Sequence, residues 1–101
     1  MTLAAGIELP EEEIAELCRR YRVKELAKFG STARNELRPD SDIDLLVEFF
    51  PEAGVDLVQH FAAERELSTL LGRKVDLVSK RALRSALRKE VLSHARVIYA
   101  A

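Results

Sequence analysis

Three aspartates and one glycine–serine pair have the residue types and spacing that could do chemistry. Asp42 and Asp44 stand two apart at the head of an otherwise apolar run, Ile43 to Phe50. On a strand that spacing points both side chains to one face. Two carboxylates side by side on a buried strand repel each other and lose hydration, which disfavours the pair unless something neutralises it. A divalent cation is one solution, and hard oxygen ligands suit magnesium. Helix capping, or pairing with Arg34 and Arg38 at a loop end, is another. Asp76 lies in a second apolar run, between Val75 and Leu77. If the two runs form neighbouring strands, all three carboxylates converge at one end of a sheet. Gly30 and Ser31 close a shorter apolar stretch and precede an expected turn of helix. Glycine lets the backbone approach a ligand, and exposed N–H groups with a serine hydroxyl can hold phosphate oxygens. A phosphate cradle, a two-carboxylate metal site and a third carboxylate together are the equipment of metal-assisted phosphoryl or nucleotidyl transfer.

These residues need elements to position them. Pro10 and the carboxylates Glu11, Glu12 and Glu13 suit the first turn of a helix. Ile14, Leu17, Cys18 and Tyr21 continue it as one apolar stripe, which gives Cys18 a packing role rather than that of a reactive thiol. Val23 to Phe29 reads as a strand ending at Gly30, and Thr32 to Leu37 as a turn of helix. Arg38 to Ser41 has the composition of a loop. Ile43 to Phe50 is the clearest strand, stopped by Pro51. A helix from about Asp56 to Leu71 places Leu57, Phe61, Leu67 and Leu71 in one arc and stops at Gly72, although Glu64 and Ser68 interrupt that arc. Lys74 to Ser79 is the next strand. A helix from about Ala82 to His94 groups Leu83, Ala86, Leu87 and Val91, and Val97 to Tyr99 can add an edge strand. Strands alternating with helices predict an α/β (α+β) domain, a small mixed sheet flanked by helices. So few strands exclude a large doubly wound sheet.

The chain has 101 residues, room for one domain over 1–101. No apolar run approaches the roughly 18–20 residues of a membrane span, the N-terminus lacks a secretory pattern, and one cysteine excludes an internal disulfide framework. The expectation is a cytoplasmic protein. Net charge is −1, which excludes a globally cationic nucleic-acid binder. The charge is uneven: Arg73 to Arg96 holds 8 basic and 2 acidic side chains, either a solvated helix face or a positive wall beside an anionic ligand or partner. P-loop and zinc-helix motifs are absent from the sequence. His60 and His94 have no partner at ligand-like spacing, so packing or surface roles fit them.

The run Phe29-Gly-Ser-Thr-Ala-Arg-Asn-Glu-Leu-Arg-Pro-Asp-Ser-Asp-Ile-Asp-Leu-Leu-Val-Glu-Phe49, followed by Gly72-Arg-Lys-Val-Asp-Leu-Val78, resembles the minimal nucleotidyltransferases of the DNA polymerase β-like superfamily. The likeness spans roughly Tyr21 to Ser79. One departure is Asn35, where the family usually has glycine; asparagine tolerates the left-handed backbone better than most residues. The resemblance implies the polymerase β-like fold and a set of roles. Gly30 and Ser31 would bind the β- and γ-phosphates of ATP, with Arg34 as a further triphosphate ligand. Asp42, Asp44 and Asp76 would bind Mg²⁺, two ions if both sites are filled, and Asp76 would also help deprotonate an acceptor hydroxyl. A surface ion pair of Arg34 with Glu36 or Asp40 is the competing assignment, as is pairing of Asp76 with Arg73 or Lys74. Ser41 fits a role in orienting its loop through the backbone.

Members of that family commonly serve as antitoxins of HEPN-domain toxins, and some attach AMP to a toxin tyrosine. The resemblance therefore implies a magnesium-dependent enzyme moving AMP from ATP to a hydroxyl of a HEPN partner. Two other functions compete: an antitoxin that neutralises its partner by contact alone, and a nucleotidyltransferase acting on a small molecule.

Overall fold

The computed structural model describes residues 1–4 and 6–101. Its larger sheet has four strands: β3 (Val23–Lys28), β4 (Ile43–Phe49), β5 (Val75–Ser79) and β6 (Arg96–Ala100). A smaller hairpin joins β1 (Thr2–Ala4) to β2 (Ile7–Glu8), and four helices complete the chain: α1 (Glu11–Arg20), α2 (Gly30–Ala33), α3 (Leu57–Leu71) and α4 (Ser85–His94). The order across the sheet is β5-β4-β3-β6. β4 and β5 run parallel, joined through α3, while β3 is antiparallel to both of its neighbours. The expected small mixed sheet flanked by helices is what forms.

Alternation in β4 explains how the sheet divides its faces. Ile43, Leu45 and Val47 enter the core beside Val75 and Leu77 of β5, packed with Ile14, Leu17 and Cys18 of α1 and Ala63 and Leu67 of α3. The intervening positions, Asp44 and Asp76 among them, take the opposite face. α1 is held by its apolar stripe, and burial pushes the Cys18 thiol up to about 12, so it stays protonated and inert. Tyr21 and Arg20 at the end of α1 both bond Glu66 of α3, the arginine at 3.1 Å. On the other face Glu25 and Glu48 oppose each other across β3 and β4, a like-charge pair bridged by Lys80 Nζ at 3.7 and 3.6 Å.

The structure adds one element and corrects three expectations. The N-terminal hairpin was not foreseen, although Leu3 and Leu9 reach the core; strands of three and two residues are too short to print an alternation. α2 covers Gly30–Ala33 rather than Thr32–Leu37, because Asn35 turns left-handed at φ 58°. α4 begins at Ser85, after a 3₁₀ turn at Lys80–Ala82, and none of its side chains is buried. In α3, Leu57 and Phe61 point to solvent, 72% and 48% exposed, while Ala63 and Leu67 face the core.

The polar residues that interrupted the α3 arc explain that last difference. His60, Glu64 and Ser68, spaced i, i+4 and i+8, lie along the outer edge of β5. Ser68 Oγ accepts Val75 N–H at 2.9 Å, Glu64 Oε2 accepts Leu77 N–H at 2.7 Å, and His60 Nε2 meets Leu77 O at 2.8 Å. The helix thus supplies the partners that a further strand would have given.

Candidate active site

The parallel register sets Asp44 directly beside Asp76. Asp42 lies one residue before β4, half-exposed, with Lys74 Nζ 3.8 Å from its carboxylate. The three acids therefore gather where β4 and β5 begin, as expected if the strands were neighbours. They are less buried than the apolar runs suggested: Asp76 is exposed, and Asp42 and Asp44 are only partly buried. Burial raises the Asp44 carboxyl above its ordinary range, and the charges of Asp76 and Asp42 raise it further; the Ser31 hydroxyl and Arg34 pull it back.

α2 closes over Asp44 from the β3 side. Gly30 has φ 57°, in the left-handed region, and a Cβ placed there would lie 2.7 Å from Asp44 Oδ2. The other three glycines of the chain have nothing within 4 Å of such an atom. Glycine is required here for a reason additional to ligand approach: it admits the carboxylate itself. Ser31 is half-buried beside that carboxyl. Arg34 caps the C-terminal end of α2, with Nε 3.4 Å from Glu36 Oε2 in an exposed ion pair. This is the surface pairing weighed against a phosphate role, while its charge still reaches Asp44.

Asp76 does not pair with Arg73 or Lys74: Lys74 turns to Asp42, and Arg73 donates to the carbonyls of Arg38 and Ser41, the former at 2.6 Å. Ser41 behaves as expected, its Oγ accepting Arg38 N–H at 3.3 Å. The sequence offered Arg73 as a partner of Asp76; in the fold it instead ties down the loop that leads into Asp42. Thr32 was missed. Its signal is position, two residues after Gly30, where a β-branched hydroxyl can turn inward to the backbone of the strand that follows, β4.

Carboxylates on neighbouring positions, with repulsion registered at Asp44, form a donor set that fits a hard divalent cation. Among the described residues no three His, Cys, Asp or Glu side chains already stand in position to hold one ion together. The acids fit as donors rather than as a finished coordination sphere.

The nucleotidyltransferase domain family matches residues 11–98. The chain belongs to this family. A protein named as an adenylyltransferase in Methanocaldococcus jannaschii is 52% identical over 66 residues, 65% of each chain, so the match spans just under two thirds of that relative. Protein adenylyltransferase MntA of Thermococcus cleftensis is 44% identical over 77 residues, 76% of each chain. A toxin–antitoxin crystal structure with AMP-PNP superposes with a TM-score of 0.75 over 92% of this chain and 75% of that one; at 24% identity it shares the fold. The likeness to minimal nucleotidyltransferases read from the motifs is borne out, and the chain is a nucleotidyltransferase by family. Within this nucleotidyltransferase no helix among the described residues is long and apolar enough to cross a membrane.

Proposed function

We propose that this nucleotidyltransferase is a cytoplasmic, magnesium-dependent protein adenylyltransferase that moves AMP from ATP to a hydroxyl, a tyrosine, of a HEPN-domain toxin, and so acts as its antitoxin. The observation that carries this reading is the register of Asp44 beside Asp76, with Gly30 and Ser31 folded against Asp44. The adenylyltransferase names of the relatives support the activity. The toxin–antitoxin assembly of the structural neighbour supports a protein partner.

Backbone N–H groups at Gly30 and Ser31, with the Ser31 hydroxyl, hold the β- and γ-phosphates, and Arg34 adds charge on the triphosphate once it leaves Glu36. Magnesium bound by Asp42, Asp44 and Asp76 would supply Lewis-acid stabilisation of charge on the phosphate oxygens. Asp76, the most exposed of the three, faces the incoming acceptor and takes the proton of its hydroxyl. The acceptor oxygen bonds to the α-phosphorus, the bond to the bridging oxygen breaks, and pyrophosphate leaves with that electron pair.

Intact mass spectrometry of a HEPN-domain partner, after incubation with this chain, ATP and Mg²⁺, tests the reading. The partner gains one or more AMP residues with wild type and few or none with Asp76→Asn. General-base losses of about 10²–10⁴-fold are typical. A partner neutralised in a stable complex with no added mass would establish antitoxin action by contact alone.

A further inference from the structure

β3 stops at Lys28, where β4 alongside it still needs partners. Both backbone groups of Asp44 point toward that end. Phe29 N–H donates to Asp44 O at 3.1 Å, and Asp44 N–H donates to Thr32 Oγ1 at 2.9 Å. A side-chain hydroxyl from α2 therefore stands where the next strand carbonyl would have been. Thr32 is 1% exposed, the one fully buried polar side chain among the described residues, so water has little room to replace it.

We propose that Thr32 is a positioning residue for nucleotidyl transfer: its hydroxyl fixes the backbone of Asp44, and with it the carboxylate, relative to the Gly30–Ser31 loop. This rests on the reading of Asp44 as a carboxylate of the transfer site. Three further contacts make the coupling tight. The Phe29 N–H bond holds the other side of the same residue, Gly30 leaves no slack beside Oδ2, and Ser31 reaches the carboxyl. Loop and carboxylate thus move as one body. A change at Thr32 displaces Asp44 without touching the phosphates.

The test uses the full chain with ATP, Mg²⁺ and a HEPN-domain partner as acceptor, comparing Thr32→Val, which keeps the shape and removes the acceptor oxygen, with Thr32→Ser, which keeps the oxygen. Substitutions behind metal-binding groups typically cost about 10–100-fold in activity. Thr32→Val is expected to lose kcat in that range, with KM for ATP changed less than about threefold, and Thr32→Ser to recover most of kcat. Amide hydrogen exchange at Asp44 should accelerate at least about tenfold in Thr32→Val while Leu45 to Val47 stay protected. Wild-type kcat in Thr32→Val overturns the proposal, as does a loss of kcat that Thr32→Ser does not repair. A wild type that transfers nothing instead defeats the adenylyltransferase reading. Exchange at Asp44 then decides whether Thr32 holds that residue, and an unchanged rate overturns it.

Discussion

Asp44 and Asp76 are register partners on parallel strands, yet they are held in opposite ways. Asp44 is gripped directly: α2 folds back on its backbone and crowds its carboxyl, and the price is a carboxylate pushed above its ordinary range. Asp76 projects into solvent and is held at one remove, because α3 grips the residues on either side, Val75 and Leu77. One acid has a rigid enclosure and the other a rigid backbone with a free side chain. That division suits a pair in which the first keeps its position and the second meets a variable acceptor.

The largest effect is expected where the enclosure is tightest. Gly30→Ala combines a left-handed backbone, about 1–3 kcal/mol for a non-glycine residue, with a Cβ driven into Asp44. A denaturant titration should show destabilisation at or above the top of that range. At Gly6, which also has positive φ but open space around it, the same substitution should show the backbone cost alone. Equal losses at the two glycines would mean that Asp44 yields freely.

Ligand linkage comes next. Mg²⁺ with ATP at about 100 times Kd should add about 2.7 kcal/mol to wild-type stability by mass action, read as an upward shift in thermal melting. Asp42→Asn with Asp44→Asn should abolish most of that shift, and a full shift in the double variant would remove these acids from the site.

On the Asp76 side, Glu64→Ala and Ser68→Ala each leave a strand N–H without its acceptor, a loss of about 1–3 kcal/mol where the group is buried. Exchange at the Leu77 and Val75 amides, respectively, should accelerate while α3 stays helical through its capping box at Asp56 and Gln59. Undisturbed amides would mean that the strand does not depend on the helix.

The smallest effect is electrostatic. A carboxyl raised in the folded state binds more protons than its unfolded counterpart, so the charge on Asp44 makes stability fall as pH rises through its folded value. Asp44→Asn should therefore raise the melting temperature of the metal-free protein at neutral pH. That gain should vanish below the ordinary carboxylate range, where Asp44 is neutral in both states.

Much of the site was legible because its residues break apolar runs. Asp42 heads one apolar run and Asp44 interrupts it, Asp76 interrupts another, and Gly30 ends a third, so each stands out against its surroundings. The supports were harder to read. Glu64 and Ser68 look like faults in an amphipathic helix, since hydropathy cannot show that their partners are backbone groups 13 and 7 residues further on. Leu57 and Phe61 were assigned inward for the same reason: periodicity marked an apolar arc, but hydrogen bonding to the β5 edge fixed the rotation of α3. Asn35 tolerates left-handed backbone, and its positive φ lies just past the end of α2, but asparagine in a sequence does not by itself mark a helix stop. The basic residues of α4 marked a solvated face, but its apolar positions do not reveal that no side chain of the helix is fully buried.

The grip of α3 on β5 has a consequence for association between molecules. Unpaired strand margins are where sheets of different chains join, and proteins guard them with charge, brevity or cover. Side chains of α3 occupy the N–H groups of Val75 and Leu77. The opposite margin, β6, is bonded to β3 on its inner side and carries only five residues, with exposed Arg96 at its start. Strand addition, whether by a binding peptide or in an aggregating preparation, is thereby directed to Arg96–Ala100, leaving the β5 side, where Asp76 sits, out of such contacts.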